Sequence, residues 1–585
     1  MKGRLKRSLV CASGALFLSP VLPATPDLEQ LHIAEMIRVE EAIMALTPEL
    51  NILNRKAGNL LIDFPKIRVP HLVPTTVRET PPSRITSWQT AGKANTTPLA
   101  AVLSQAERLP ETRFYLIDGS FTPEGHFQAK TGFEASGLHQ SGQTLSITST
   151  QTLTWSGKTL IAWSQGKVQS AVTAKPFFHE TLDECLPATD SYLRARESMQ
   201  EQNIIKLFTQ DKFTVSKPLY AEYLDLDSTF QHPGLSVADV NNDGLDDLYV
   251  MGRWGQNQLL IAQEDGTFRD EAVRRGLALN GLCTSAIFAD FDNDGDSDVF
   301  IGRSLERSRY FKNQEGVFQD ATQEAFKNIA LPYLVSTVSA VDYDGDGLLD
   351  LYLGLYAPPQ QKHGVEKWAR RFFPPGMAKA IIQKAVGSHP YLHRIGPPNL
   401  LLKNIGNGRF SIAPEASDLA EWHDTHQATW CDFDQDGDPD VYVCNDFAPD
   451  HLYENTGLPA PGKPRFKDIS IPEMQGFGMG ASWGDYDRDG RFDLYVSNMY
   501  SKAGLRITDT IDGLDPRALL SARGSLMFRQ TAKGFIENGT ALGVHKVGWS
   551  YGGLFLDFNN DGWQDLYASS GFYSAPKEIE TERDL

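Results

Sequence analysis

Residues 485–493 read Asp-Tyr-Asp-Arg-Asp-Gly-Arg-Phe-Asp, and they are one copy of a nine-residue pattern, D-x-[DN]-x-D-G-x-x-D, that decides the fold. The pattern occurs six times in the chain of 585 residues. Successive copies start 51, 52, 90, 53 and 72 residues apart, so a unit of about 50 residues recurs with two larger insertions. A repeat of this length is typical of a β-propeller blade.

Each copy carries the side chains of a loop that binds a hard cation. Oxygens at positions 1, 3, 5 and 9 are able to converge on one ion, and the glycine at position 6 permits the sharp turn around it. Position 7 varies in chemistry, as expected of a residue that offers only its backbone carbonyl. All-oxygen ligation by a flexible loop favours Ca²⁺ over Mg²⁺ and over transition metals. We therefore expect about six calcium sites, with the ligands Asp239, Asn241, Asp243, Leu245, Asp247, Asp290, Asp292, Asp294, Asp296, Asp298, Asp342, Asp344, Asp346, Leu348, Asp350, Asp432, Asp434, Asp436, Asp438, Asp440, Asp485, Asp487, Asp489, Arg491, Asp493, Asp557, Asn559, Asp561, Trp563 and Asp565.

The alternative is that the copies are ordinary Asp-Gly turns. That interpretation suits a single copy, but it does not explain six copies at blade spacing. Position 2 is apolar in every copy, which suits a side chain directed into a core beneath the loop. We expect the ions to be structural, each contributing roughly 0.4 to 1.4 kcal/mol in millimolar calcium.

Strand signals surround each loop. A run of small residues such as Ser-Thr-Val-Ser-Ala (336–340) precedes the loop, and an aromatic run such as Leu-Tyr-Leu (351–353) follows it. A second signature, such as SRYFKNQEGVF (308–318), indicates an outer hairpin with a polar turn. Four strands make one blade. The sequence therefore predicts a mainly β fold: a six- or seven-bladed β-propeller with calcium-binding loops, preceded by a smaller α+β domain.

The sequence does not decide how many blades close the ring. Only 20 residues follow the sixth loop, so we expect the outer strands of the last blade to come from elsewhere in the chain. The segment 212–224 is the candidate for closing the ring. Six blades, or seven with a degenerate one, both fit the repeat.

The repeats resemble the FG-GAP/VCBS type found in the integrin alpha-chain propeller, in which the same loops bind calcium. The stretches GMGASWGDYDRDGRFDLYVSNMYS (478–501) and GWSYGGLFLDFNNDGWQDLYASSGF (548–572) more closely resemble secreted bacterial members of the cartilage acidic protein 1 family. The resemblance covers about residues 225–575. It implies a calcium-binding propeller, commonly of seven blades, in an extracytoplasmic protein. It implies little about activity, and no role of the ASPIC/UnbV module is carried over, because that module is not recognisable before Leu585.

The start of the chain predicts export. A basic start is followed by an apolar run over 9–21, and Ala24 ends a cleavage site, so residues 1–24 are predicted to be a signal peptide. A lipid anchor on Cys11 is the less favoured alternative. We expect a secreted, periplasmic or cell-surface protein with no transmembrane segment in the mature chain. The net charge of −19 argues against nucleic acid as a partner.

The predicted domains are 25–205, a helical and α+β region, and 206–585, the propeller. In the first we expect a helix from Thr25 to 46, a linker over 65–97, a helix over 99–109, strands over 114–172 and a helix over 191–208. Insertions at about 357–398 and 501–523 break the blade period. Long loops on a rigid scaffold often carry function, so we expect these to contact a partner or, equally, to cap one propeller face.

Other motifs are weaker. Cys431 and Cys444 flank one loop closely enough to pair, although small buried thiols are the favoured interpretation. The Gly-x-Ser-x-Gly run at 480–484 lies on a repeat strand rather than on a nucleophile elbow. His423 and His426 form an H-x-x-H pair with no other ligand cluster nearby in the sequence.

Two functions remain open. The favoured one is a secreted calcium-binding propeller that acts as an adhesion or interaction module for an extracellular protein or polysaccharide. The alternative is an extracytoplasmic carbohydrate-active enzyme, a lyase or hydrolase, which needs acids, Arg or His outside the calcium loops to converge on the central channel. No catalytic residue and no cofactor other than Ca²⁺ is predicted.

Overall fold

The computed structural model describes residues 67–174, 180–196 and 234–571, together with 38–39, 202 and 205–206, apart from gaps at 81–82, 158, 253–254, 358–363, 390–391, 458–464, 501–514 and 559. The chain divides into two compact units, residues 1–180 and 181–585. The predicted signal peptide, nearly all of the predicted first helix and the segment 212–224 lie outside the described residues. The predicted domain boundary at 205/206 stays a prediction.

Among its described residues, the first unit contains an antiparallel sheet of six long strands and a short helix between the second and third strands. The strands are β1 (Val69–Thr80), β2 (Ser83–Thr96), β3 (Ala106–Phe121), β4 (Phe127–His139), β5 (Thr144–Ser156) and β6 (Thr159–Thr173), and the helix is α1 (Ala100–Leu103). The strand order is β1-β2-β6-β5-β4-β3. Alternate residues are buried on one face, among them Phe133, Leu145 and Ile147, and they form a single core.

Two expectations for this unit are wrong. The predicted linker over 65–97 forms β1 and β2, whose Thr, Val and Ile residues suit a sheet. Pro70 and Pro74 are tolerated because β1 is an edge strand, where a missing N–H costs no interior ladder bond. The predicted helix over 99–109 is helical only in α1, because the chain enters β3 at Ala106 to bury Ala106 and Leu109 in the sheet core.

The second unit has, among its described residues, five four-stranded antiparallel sheets and one two-stranded sheet. In chain order the strands of the six sheets are β7 (Leu235–Ala238), β8 (Asp247–Val250), β9 (Gln258–Ala262) and β10 (Phe268–Asp270); β11 (Cys283–Ala289), β12 (Asp298–Arg303), β13 (Arg309–Gln314) and β14 (Val317–Asp320); β15 (Val335–Val341), β16 (Asp350–Leu355), β17 (Leu400–Asn404) and β18 (Phe410–Ile412); β19 (Asp424–Cys431), β20 (Asp440–Asp446), β21 (His451–Asn455) and β22 (Phe466–Asp468); β23 (Gly480–Gly484), β24 (Asp493–Ser497), β25 (Leu526–Thr531) and β26 (Gly534–Glu537); and β27 (Gly552–Leu556) and β28 (Asp565–Ser569).

Successive sheets meet through their first strands. Strand β7 contacts β11, β11 contacts β15, and the series continues through β19, β23 and β27. Within each four-stranded sheet the strands are paired in chain order. This repetition is the arrangement of successive propeller blades, and it confirms the mainly β fold class and the predicted inner strands and outer hairpins.

Short helices cap the sheets and fill the insertions. They are α2 (Leu182–Cys185), α3 (Thr189–Arg196), α4 (Ala272–Arg275), α5 (Thr322–Ala325), α6 (Val365–Phe372), α7 (Pro375–Ala385), α8 (Pro516–Ala522) and α9 (Gly539–Leu542). Helices α6 and α7 lie in the first predicted insertion, and α8 lies in the second. No helix in the described part of the chain has the length and apolar character needed to span a bilayer.

Candidate metal centres

The six acidic loops join the first and second strands of the six sheets. In the third sheet Val341, the last residue before the loop, pairs with Asp350, the ninth residue of the loop. Cys431 and Asp440 pair in the same way in the fourth sheet. Each loop is therefore closed by the strand ladder, which fixes its two ends.

The same three hydrogen bonds shape every loop. In the third loop the Asp342 carboxylate accepts the backbone N–H of Asp346 at 3.1 Å and that of Gly347 at 2.8 Å. The Asp346 carboxylate accepts the N–H of Leu348 at 3.0 Å. The equivalent bonds occur in the other five loops. The carboxylate at position 1 thus holds the bend of the loop by accepting two backbone N–H groups.

Two residues of each loop have positive φ. Position 6 is glycine, as the sequence predicts, with φ between 82° and 98°. Position 4 is also left-handed in every copy, with φ between 56° and 73°. The left-handed conformation at position 4 was not predicted, although three asparagines and one glycine, which tolerate it, are found there: the residues are Asn242, Asn293, Gly345, Gln435, Arg488 and Asn560.

Three carboxylates come together in each of four loops, where their oxygens lie within 4.8 Å of one another. The groups are Asp290, Asp292 and Asp294; Asp342, Asp344 and Asp350; Asp432, Asp434 and Asp440; and Asp485, Asp487 and Asp493. In the first loop the Asn241 amide donates to Asp243 at 2.9 Å. In the sixth loop Asn559 lies outside the described residues.

The position 7 residues lie where the pattern places them. In each loop their backbone N–H donates to the position 5 carboxylate, and the chemically varied side chains make no part of this bond. Ligation by their carbonyl groups stays a prediction. The apolar residues at position 2 are buried in the first four loops, as predicted, whereas Tyr486 in the fifth is half-buried and Phe558 in the sixth is 45% exposed.

The carboxylate at position 9 links the loop to the third strand of its sheet. Asp440 accepts the N–H of Phe433 at 3.2 Å and the N–H of Asn455, on β21, at 2.8 Å. Asp350 accepts the N–H groups of Tyr343 and Asn404 in the same way. These carboxylates are buried, so ionising them without a nearby cation is unfavourable. Burial raises the pKa of Asp440 to about 8 and that of Asp350 to about 7.

Amide side chains connect each of the first four loops to the sheet that follows it. Asn404 donates from Nδ2 to the carbonyl of Phe291, in the second loop, at 2.8 Å and to Leu349 at 3.1 Å. Asn313, Asn455 and Gln530 make the equivalent bonds to Val240, Tyr343 and Phe433. From the sequence, these residues were expected only to form polar turns. The Asn that recurs before Gln-Glu-Gly, Ile-Gly and Thr-Gly could have indicated a shared structural role.

The residue before each of these amides faces the loop and differs in charge. Lys312 contacts Asp292 at 2.8 Å, Lys403 contacts Asp344 and, at 2.9 Å, Asp346, and Arg529 contacts Asp487 at 2.5 Å. In the fourth sheet the same place holds Glu454, whose negative charge helps to raise the pKa of Asp434, after the larger effects of burial and of Asp436. The loops therefore differ in the charge that surrounds the candidate metal position.

The weaker sequence motifs behave as follows. Gly480 to Gly484 form strand β23, so the Gly-x-Ser-x-Gly run has no strand-to-helix turn. Cys431 and Cys444 are free thiols, and Cys444 is buried in an apolar cluster. His423 lies beside Glu421 and His451, a cluster that the spacing in the sequence did not reveal. His363, of the first insertion, lies outside the described residues.

Comparisons with known proteins agree with this repeat. The FG-GAP-like repeat family matches residues 239–301, 290–353 and 432–496. Cartilage acidic protein 1 of Mus musculus is 23% identical over 425 residues, which cover 62% of this chain and 61% of that protein. Cartilage acidic protein 1 of Homo sapiens is 23% identical over 449 residues, 66% of this chain and 61% of that protein. The match in Xenopus tropicalis is 33% identical over 140 residues, 22% of this chain and 21% of that protein. The chain thus spans less than two thirds of the length of these relatives.

Proposed function

Because the chain carries FG-GAP-like repeats, we propose that it is a secreted calcium-binding β-propeller that acts as a binding module for an extracellular protein or polysaccharide. The observation that carries the proposal is the recurrence of one hydrogen-bonded acidic loop in all six sheets, with three carboxylates gathered in four of them.

Electrostatics support a cation in these loops. Two carboxylates about 4 Å apart repel each other by roughly 1 to 4 kcal/mol, depending on the local dielectric. Three such groups in one loop, with the buried Asp350 or Asp440 among them, favour a bound dication, which offsets both repulsion and desolvation. Oxygen-only ligands at a flexible loop suit Ca²⁺, and about six ions per chain are proposed.

Calcium would act on stability rather than on chemistry. Each ion would hold together the first strand, the second strand and, through the position 9 carboxylate, the third strand of one sheet. Extracellular calcium is millimolar and matches the weak affinity of extracellular calcium modules, which fits a protein exported through the predicted signal peptide.

Binding is assigned to the inserted segments. Helices α6 and α7 join the end of β16 to the start of β17, at the end of the third sheet away from the acidic loop. Helix α8 has the same place in the fifth sheet. Segments of this length on a rigid scaffold form recognition surfaces without changing the sheets beneath.

The test is a binding assay with the chain from residue 25 onward. The protein is applied to immobilised polysaccharides and extracellular matrix proteins in millimolar calcium and again with a chelator. We expect retention on one class of surface, lost with the chelator and lost when residues 364–388 are replaced by a short Gly-Ser linker. Unchanged retention by that variant would show that the insertion is not the binding surface.

The enzymatic alternative has one supporting observation. At the end of the fourth sheet away from its loop, Arg394 pairs with Asp424 at 2.7 Å, and His426 lies 3.7 Å from Asp446. These side chains are almost completely buried and paired with one another, so a polymer does not reach them in this conformation. Release of oligosaccharides from a polysaccharide in the binding assay would favour this alternative.

A further inference from the structure

A second group of metal-ligating side chains lies at the opposite end of the fourth sheet from its acidic loop. Glu421 and His423 immediately precede β19, and His451 begins β21. One ligand atom from each of the three lies within 4.8 Å of the other two. Strand β19 separates this end from the loop at 432–440 by about 20 Å, so the group is independent of the calcium loop.

The histidine at the centre of the group is oriented for ligation. His423 Nδ1 lies 2.8 Å from the carbonyl oxygen of Arg394, and because a carbonyl only accepts, Nδ1 carries the proton. The lone pair is therefore on Nε2, which is 4.0 Å from Oε2 of Glu421. A backbone carbonyl that fixes the tautomer in this way is the usual outer contact of a metal-bound histidine.

The carboxylate of Glu421 has histidines as its neighbours. Its ion pairs among the described residues are with His423 and, at 3.7 Å, with His451 Nδ1, and it accepts a hydrogen bond from the Tyr453 hydroxyl. His451 Nδ1 also lies 3.0 Å from Asp468, and because a carboxylate only accepts, this nitrogen carries a proton that a bound metal ion must displace.

The geometry is close to that of a metal site. Bonds of about 2.0 to 2.1 Å in a tetrahedral zinc site place neighbouring ligand atoms roughly 3.3 Å apart. The separations of 4.0 Å, between Glu421 and His423, and 3.7 Å, between Glu421 and His451, would have to shorten by about 0.7 and 0.4 Å. His393 is exposed, and its ring centre lies 4.9 Å from that of His423, so the group is reachable from solvent on that side.

We propose that Glu421, His423 and His451 form a site for a divalent transition metal, of which Zn²⁺ is the best chemical match. Two imidazoles and one carboxylate are a ligand set that zinc accepts with a fourth position open for water, His393 or a group of a partner. Nitrogen ligands disfavour Ca²⁺ and Mg²⁺, so this site and the acidic loops select different ions. The proposal does not depend on calcium binding.

The experiment uses the chain from residue 25 onward, stripped of metal and then dialysed in millimolar calcium so that hard-cation sites are saturated. Zn²⁺ is added and bound zinc is counted by elemental analysis, and Co²⁺ is added to a second sample for its visible absorption. We expect one zinc per chain and a Co²⁺ band typical of nitrogen ligands at low coordination number. No stoichiometric zinc, or no such band, overturns the proposal.

Variants locate the site. His451→Gln is expected to weaken zinc binding by at least about 100-fold, and Glu421→Gln, which keeps an acceptor for Tyr453, by about tenfold. His139→Gln is the matched control, because His139 is a partly exposed histidine of the first unit. Equal zinc binding by His451→Gln and the parent overturns the assignment. If His451→Gln does not fold, the cobalt spectrum of the parent decides alone.

Discussion

The third and fourth acidic loops share one backbone and differ in the charge beside it. In both, the position 1 carboxylate accepts the same two N–H groups, and the position 9 carboxylate reaches the third strand. At equivalent places on that strand, the third loop faces Lys403 and the fourth faces Glu454. Lysine supplies a positive charge to the third loop, whereas glutamate adds a negative charge to the fourth.

The comparison shows that the conformation of a loop and its affinity for a metal ion have different causes. Shape comes from the hydrogen bonds of positions 1, 5 and 9, which are the same in both loops. Affinity for calcium depends on the surrounding charge. We therefore expect the fourth loop to bind calcium more tightly, and its stability to depend more on the bound ion. Arg465 and Lys467, the basic residues near the fourth loop, contact Asp438 and Glu454 rather than Asp434 or Asp440.

The largest expected effect is that of Asp440→Ala. The substitution removes a metal ligand and leaves the buried N–H groups of Phe433 and Asn455 without their acceptor, which costs about 2 to 4 kcal/mol of unfolding free energy. Urea unfolding in millimolar calcium measures it. Asp350→Ala loses the same kind of hydrogen bonds in the third loop. We expect it to lower the unfolding free energy by less than Asp440→Ala does, because calcium contributes less to the third loop.

The control for this pair is Asp265→Ala, which alters an exposed aspartate in an outer hairpin turn and should change stability by no more than about 0.5 kcal/mol. An Asp440→Ala protein as stable as the control protein would contradict the account.

Asn404→Ala is expected to cost about 2 kcal/mol, because it leaves two buried carbonyl groups, those of Phe291 and Leu349, without their donor. This hydrogen bond holds the conformation of the loop and does not involve the ion. The loss of unfolding free energy should therefore be the same in calcium and in chelator. Asn455→Ala is the matched variant of the fourth loop. A loss of unfolding free energy that disappears in chelator would show that loop conformation and calcium binding are coupled.

The charge swap tests the comparison itself. Lys403→Glu should tighten calcium binding at the third loop by about tenfold, and Glu454→Lys should weaken it at the fourth loop by about the same factor, corresponding to about 1.4 kcal/mol each. Calcium titrations followed by the shift in melting temperature measure both. Shifts in the same direction for the two variants would refute the electrostatic explanation.

The smallest expected effect is that of Arg491→Ala at position 7 of the fifth loop. If only the carbonyl of this residue faces the ion, the side chain is dispensable and stability should change by no more than about 0.5 kcal/mol. Elemental analysis should find the same number of calcium ions as in the parent. The loss of one ion would show that the side chain contributes to the site.

The sequence predicted those features that repeat with a fixed spacing. The aspartates, the glycine at position 6 and the paired strands recur in register, so the blades and the candidate ligands could be found together. The prediction of a linker over 65–97 was wrong, because prolines that a sheet tolerates in an edge strand are also typical of a segment without regular structure. The helix over 99–109 was wrong because burial in the sheet core outweighed local propensity.

Contacts between distant residues could not be read from the sequence. Asn404 reaches Phe291 across 113 residues, and His451 meets Glu421 because β21 begins at the same end of the fourth sheet as β19, with β20 between them. His423 and His426, whose spacing suggested a pair, have different neighbours: His423 lies beside Glu421 and His451, whereas His426 lies 3.7 Å from Asp446.

The most direct test of the account is a thermal melt of the chain from residue 25 onward in millimolar calcium and in chelator, with bound metal counted by elemental analysis. We predict about six calcium ions per chain and a large fall in melting temperature on chelation, consistent with roughly 0.4 to 1.4 kcal/mol for each ion. An unchanged melting temperature with no bound calcium would show that the loops are held by their hydrogen bonds alone, and would contradict the central claim.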